Sequence, residues 1–232
     1  MSAQALKRLD MRNFLKLAVW FVTLGLMASS LSTLAGPVAS DQLLENFDTS
    51  GEGPQTPLQQ DINEVILDLS SQRYDQAISK LKPLTDQYPA EVNVWYLLTI
   101  AHYGQNQLDE ALVAADRCLK IDPKLQAGYW LRGIVLALQT KYSDALRAYD
   151  QAIQVVPTRP AGYVQRGQFL VMYRSEDAAA LTAAIEDLNK SLQLGAPPEM
   201  AHGFLGLAHQ RLSNLQYHNV LEARFYRTWR QI

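Results

Sequence analysis

The sequence predicts an all-α fold, a solenoid of stacked helix–turn–helix units. Three observations carry this. Alanines recur at an even interval of about 34 residues, at Ala77, Ala111 and Ala145. Prolines keep the same interval, at Pro89, Pro123 and Pro157. Between these landmarks, apolar residues fall at helical spacing on both sides of a short polar turn. A single helical hairpin cannot bury its apolar face alone, so a fixed period of this length implies copies that cover one another.

The clearest unit is 92–125. It reads Trp95 and Leu98, a polar turn from Gly104 to Gln107, then Leu108, Ala111, Ala115, Cys118, Ile121 and Pro123. The unit at 126–159 answers with Tyr129, Gly133, Leu136, Tyr142, Ala145, Tyr149, Ala152, Val155 and Pro157. This pattern resembles the tetratricopeptide repeat family. The resemblance covers about residues 57–230 and is sharpest over 58–159. It implies a right-handed α-solenoid domain over 57–232, with three clear repeats, one expanded repeat and a degenerate closing hairpin.

In chain order, Lys7, Arg8, Arg12 and Lys16 make a basic start, interrupted by Asp10. Leu17 to Met27 is uncharged and mostly apolar, and small residues follow at 28–30 and 33–36. That order is the one an export signal uses, and a cut after Ala35 would put Thr33 at the minus-three position. The competing expectation is a retained transmembrane anchor over 17–34, a stretch without a charge at the lower length limit for a span. Basic flanks stay cytoplasmic, so either case predicts a domain on the periplasmic or lumenal side. A cytoplasmic amphipathic extension is the third reading of the same stretch.

Residues 36–56 read as a flexible linker, rich in Gly, Pro, Ser, Asp and Glu. It holds one apolar cluster, Leu43, Leu44 and Phe47. Thr56-Pro57 is a helix start, with Thr as cap and Pro in the first turn. The first unit places Ile62, Val65, Ile66 and Leu69 on one helix, and Ala77, Ile78, Leu81 and Leu84 on the next. Gln72 and Arg73 make its turn, and Pro83 is expected to bend or shorten its second helix. In the fourth unit the small residue of the pattern is read at Ala184, 39 residues after Ala145 rather than 34. Five extra residues near 173–182 are therefore expected to lengthen a helix. Pro197-Pro198 breaks the chain. A closing hairpin is expected after it, one helix over 199–212 and another over 215–229, with Tyr217, Leu221, Phe225 and Trp229 recurring along one face.

Net charge is −2, and residues 36–232 hold 17 basic against 22 acidic side chains. Such a body does not suit nucleic acid. Cys118 is the only cysteine, so no intrachain disulfide forms, and its expected role is core filler. The four histidines, His102, His202, His209 and His218, have no acidic partner at metal-ligand spacing. Phosphate loop, nucleotide fingerprint and nucleophile elbow are all absent, so neither enzymatic activity nor a cofactor nor a small-molecule substrate is expected. Asp75, Asp109, Asp144 and Asp187 are read as first-turn residues of second helices, where their charge suits the free amides.

The resemblance implies that first helices line a groove for a partner. Carried onto this chain, its groove positions are Ile62, Ile66, Tyr96, Ile100, Tyr103, Trp130, Ile134, Val164, Gln168 and Met172, together with Leu69, Asn93, Ala137, Leu138, Val171, Met200, Gly203, Leu207, Gln210 and Arg211. That surface is apolar and aromatic, the composition enriched where partners dock. It fits an amphipathic segment from another protein, and an internal segment such as the Leu44–Phe47 cluster is the competing occupant. The Lys and Asn clamp that some family members use for a C-terminal carboxylate is missing, because Tyr96, Ile100, Trp130 and Ile134 stand there. The functional expectation is a scaffold or assembly factor in an exported compartment, binding subunits of an envelope or membrane complex. The alternatives are a structural subunit of such a complex and a cytoplasmic adaptor.

Overall fold

A computed structural model describes residues 56–229, with side chains described through His218 and at Val220. Thr56 starts the first helix as its composition predicts: its side-chain oxygen accepts from the Gln59 amide at 3.2 Å and Pro57 takes the first helical position. Among the described residues the helices are α1 (Pro57–Ser70), α2 (Tyr74–Gln87), α3 (Val92–Gly104), α4 (Leu108–Ile121), α5 (Gln126–Leu138), α6 (Tyr142–Val155), α7 (Pro160–Tyr173), α8 (Ala178–Gln193) and α9 (Pro198–Trp229). They form an α-solenoid of helix–turn–helix pairs.

The stacking is read from which helices touch. Each of the first eight helices packs on its hairpin partner. First helices also contact one another, α3 with α1 and α5, and α7 with α5 and α9. Each second helix then packs on the first helix of the following unit, α2 on α3 through α8 on α9. The recurrent alanines lie where the hairpin helices cross, and Ala77, Ala111, Ala145 and Ala184 are all fully buried. Gly133 and Gly167 serve the same crossings from the other side. A Cβ at Gly133 would lie 2.9 Å from the Tyr149 ring, and one at Gly167 would lie 2.8 Å from Leu188. The second unit divides the volume differently, with buried Thr99 and Ala115 at the equivalent points.

Three turns share a feature that composition hides. Gln72, Asn106 and Thr140 stand at the same point of three successive units, and all adopt positive φ, 57°, 60° and 61°. Each closes a first helix with paired amide bonds, such as Gln72 to the Leu69 carbonyl at 2.9 Å and Arg73 to the Asp68 carbonyl at 2.8 Å. This is the Schellman closure that glycine usually provides. The fourth turn differs. Asp177 caps α8 through the Ala179 and Ala180 amides at 3.0 and 3.1 Å. The five extra residues are shared out: α7 has 14 residues against 13 in α5, the turn has four (174–177) against three (139–141), and three more precede Ala184 in α8 than precede Ala145 in α6.

Several expectations are corrected. Pro83 does not shorten α2, which keeps the 14 residues of α4 and α6; it stands at an exposed position of the helix. Asp187 is not a first-turn residue. It lies inside α8, buried, and accepts two 2.7 Å hydrogen bonds from Arg166. Asp75, Asp109 and Asp144 do occupy first turns. The closing hairpin is replaced by one continuous helix, because Ser213-Asn214 carries neither Gly nor Pro and no turn forms there. The transmembrane expectation is corrected too: among the described residues no helix is long and apolar enough to cross a membrane. The anchor or signal stretch at 17–34 and the linker cluster at Leu43, Leu44 and Phe47 lie outside the described residues.

Candidate functional site

The groove positions separate into two groups. Ile62, Tyr96, Ile100, Trp130, Ile134 and Val164 are buried, Trp130 to 5% exposure. Ile66, Tyr103, Gln168 and Met172 are half-buried. The apolar surface that stays accessible therefore gathers at the C-terminal ends of the first helices. There Tyr103 ends α3, Leu138 ends α5 at 42% exposure, and Met172 and Tyr173 end α7, Tyr173 at 38% exposure. Burial within a helix layer explains the split: residues in mid-helix are covered by neighbouring first helices, whereas the last turn projects toward the hairpin connection.

A ring cluster supports that edge from below. Phe169 lies 5.1 Å from Tyr149 and 5.5 Å from Tyr173 between centroids, and Tyr142 lies 5.4 Å from Tyr173. Such tilted pairs hold rings in defined positions. Burial raises the Tyr149 hydroxyl far above its ordinary pKa, with Tyr173 and Tyr103 adding to the effect. Burial raises Tyr173 as well, and Tyr142 beside it acts in the same sense. These phenols stay neutral and act as packing surface.

A half-buried cation without a carboxylate partner among the described residues also stands at this edge. Arg211 of α9 is half-buried and its Nη1 donates to the Val171 carbonyl, next to Met172. Among the described residues no carboxylate lies within ion-pair distance of it, and burial lowers its pKa. The other buried charges are matched. Arg166 holds Asp187 and Asp150, with the Nη1–Asp150 contact at 2.7 Å, and burial still raises the Asp187 carboxyl above its ordinary value. Arg132 reaches Asp116 at 2.6 Å one repeat earlier. At Asp68 burial opposes the charge, but Lys80 at 3.0 Å and Arg73 at 2.8 Å outweigh it and lower the pKa.

Nothing among the described residues assembles chemistry. Burial pushes the Cys118 thiol up to about 12, helped by Asp122, so it stays protonated in the core. His102 Nδ1 is 2.6 Å from the Gln107 side-chain oxygen, a structural contact at the end of α3. Among the described residues no group of three or more His, Cys, Asp and Glu side chains could hold a metal ion. A polar cleft of about 400 Å³ between α4, α5 and α6 is lined by Asp116, Tyr129, Arg132, Asp144, Arg147 and Gln151. Its charges are paired with one another, Arg132 with Asp116 and Arg147 with Asp144.

The resemblance pointed to Tyr103, Leu138 and Met172 but not to Tyr173, which contributes through the ring cluster. It also missed the repeat-to-repeat bonds. Gln105 donates to Asp75, and Gln139 donates to Asp109 at 2.8 Å, so two first-turn aspartates tie the first unit to the second and the second to the third.

Comparison with known proteins bears on the fold. Residues 68–131 match the family model of the tetratricopeptide repeat. Among curated protein sequences none matches the chain. Solved structures share the fold at low identity. MamA (residues 41 to the end) from Desulfovibrio magneticus RS-1 is 19% identical with a TM-score of 0.53, over 73% of this chain and 94% of its own. TTC0263, a thermophilic TPR protein in Thermus thermophilus, is 19% identical with a TM-score of 0.57, over 84% of this chain and 97% of its own. The expected export to a periplasmic or lumenal compartment is corrected at this point. These matches lend no support to an export signal, and no described helix can cross a membrane. Residues 68–131 thus resemble the tetratricopeptide repeat in sequence, and the described helices share their fold with TTC0263.

Proposed function

We propose that this chain is a protein–protein scaffold or adaptor that seats an apolar or aromatic segment of another protein along its first helices. The matched repeat is a non-catalytic interaction module, and a scaffold of this kind takes its role from its surface. In this reading Ile62, Tyr96, Ile100, Trp130, Ile134 and Val164 form a rigid floor. Ile66, Tyr103, Gln168 and Met172, with Leu138 and Tyr173, form the lip that meets the partner.

The observation that carries the reading is the accessible apolar lip beside half-buried Arg211, which among the described residues bonds only a backbone carbonyl. An amphipathic helix carrying a carboxylate would complete both, placing apolar side chains on the lip and its acid on Arg211. A structural subunit of a larger complex would use the same surface permanently.

The test compares capture by wild-type chain with capture by Leu138→Glu, Met172→Glu and Arg211→Glu variants. Val113→Glu, at a 64% exposed position on α4, is the control. The reading expects one set of captured proteins to be lost in all three lip variants and kept in the control, with helicity unchanged throughout. Capture that survives Leu138→Glu and Met172→Glu overturns it.

A further inference from the structure

The last described helix, α9, lacks the partner that each earlier first helix has. Its N-terminal half packs on α7 and α8, burying Ala201 and Ala208 completely. Among the described residues no second helix returns over it, because residues 213–229 continue straight. The helix has 32 residues, so it runs about 48 Å at 1.5 Å per residue.

One exposed stripe follows α9 at spacings of three and four: Gly203, Gly206, Gln210, Ser213, Tyr217 and Val220. Every member is uncharged. A Cβ at Gly203 or Gly206 would meet nothing within 4 Å. Tyr217 and Val220, by contrast, stand 63% and 50% exposed. Two glycines inside a helix cost about 1 kcal/mol each relative to alanine, and nothing described in the single chain uses the space they leave.

The stripe complements itself. Turned antiparallel about a point between Gln210 and Ser213, Gly206 meets Tyr217, Gly203 meets Val220, and Gln210 meets Ser213. Small residues fall opposite large ones in every pair but the central polar one. Inside each chain the same device already operates, since Gly133 receives the Tyr149 ring across an antiparallel helix pair. We infer that α9 pairs with the α9 of a second copy of this chain, antiparallel and isologous, with a two-fold axis between Gln210 and Ser213. Each copy supplies a helix against the stripe that no described residue of its own chain covers, and two-fold pairing closes the contact.

The test uses the full chain with Cys118→Ala, so that no native thiol remains. A Gly206→Cys chain and a Tyr217→Cys chain are mixed and oxidised with a mild catalyst. The pairing expects a disulfide-linked species of about twice the 26.0 kDa chain mass from the mixture, with several-fold less from either variant alone. Gly206→Cys mixed with Val113→Cys sets the background. Gly206→Leu, placed in open helix surface, is expected to keep its far-ultraviolet spectrum and to sediment as a single chain where the unsubstituted protein sediments as a pair. Cross-linking no stronger than background, or a pair that survives Gly206→Leu, overturns the inference. A single-chain mass for the unsubstituted protein across the micromolar range overturns it as well.

Discussion

Replacing Gly133 by alanine separates intrinsic helix propensity from packing at one atom. Away from neighbours the change favours a helix by about 0.5–1 kcal/mol, because glycine has more freedom to lose on folding. Here the new Cβ would sit 2.9 Å from two carbons of the Tyr149 ring. That ring is only 3% exposed and lies against Phe169 at 5.1 Å, so it has nowhere to retreat. Overpacking of this kind costs about 1–3 kcal/mol. The expected net effect of Gly133→Ala is a loss of about 0.5–2 kcal/mol once the propensity gain is set against the clash. Tyr149→Ala alone is expected to cost about 3–5 kcal/mol as a large-to-small change. In that background the clash is gone, and Gly133→Ala is expected to stabilise by about 0.5–1 kcal/mol. The assay is urea denaturation of the four proteins of the cycle, followed by far-ultraviolet circular dichroism. A Gly133→Ala protein more stable than wild type, or an effect that Tyr149→Ala leaves unchanged, refutes the close-crossing argument.

Two further outcomes follow from the buried groups. The Asp68 carboxyl has a folded pKa below its unfolded value, so the stability it contributes is complete above the ordinary carboxylate range. That stability is lost as pH falls through the lowered folded pKa. Melting temperature measured from neutral pH into acid is therefore expected to fall less steeply for Asp68→Asn than for wild type at the acid end, with the variant weaker at neutral pH; parallel curves contradict the assignment. Cys118 is fully buried with its thiol pushed up to about 12. Alkylation by iodoacetamide at neutral pH, followed by mass spectrometry, is expected to be at least tenfold slower in native protein than in urea, and equal rates place the thiol at the surface.

What the residues disclosed, and what they concealed, divides along physical lines. The crossings were legible because they need small side chains at a fixed interval, and Ala111, Ala145 and Gly133 supply them. The capped start at Thr56-Pro57 was legible for a local reason, the hydroxyl that reaches forward to the Gln59 amide. The left-handed turns were not, because Gln72, Asn106 and Thr140 adopt positive φ without glycine, held there by the Schellman bonds around them. Asp187 carried the same letter as the first-turn aspartates but sits in an expanded unit. The shifted register there places it against Arg166. The straight course of α9 depends on the absence of a competing turn signal, which spacing alone does not weigh. The groove positions were named from resemblance. Which of them is floor and which is lip depends on neighbouring helices, so Trp130 is covered while Leu138, two turns further on, is open.

The most direct test of the account is site-specific photocross-linking in cells, with a benzophenone side chain at Leu138, at Tyr173 or at Val113. Leu138 and Tyr173 lie on the lip, and Val113 is an exposed apolar position on a second helix. The account predicts the same discrete protein adduct from Leu138 and Tyr173, lost with Arg211→Glu, and none from Val113. Adducts from Val113 equal to those from the lip, or none from any of the three, would contradict it.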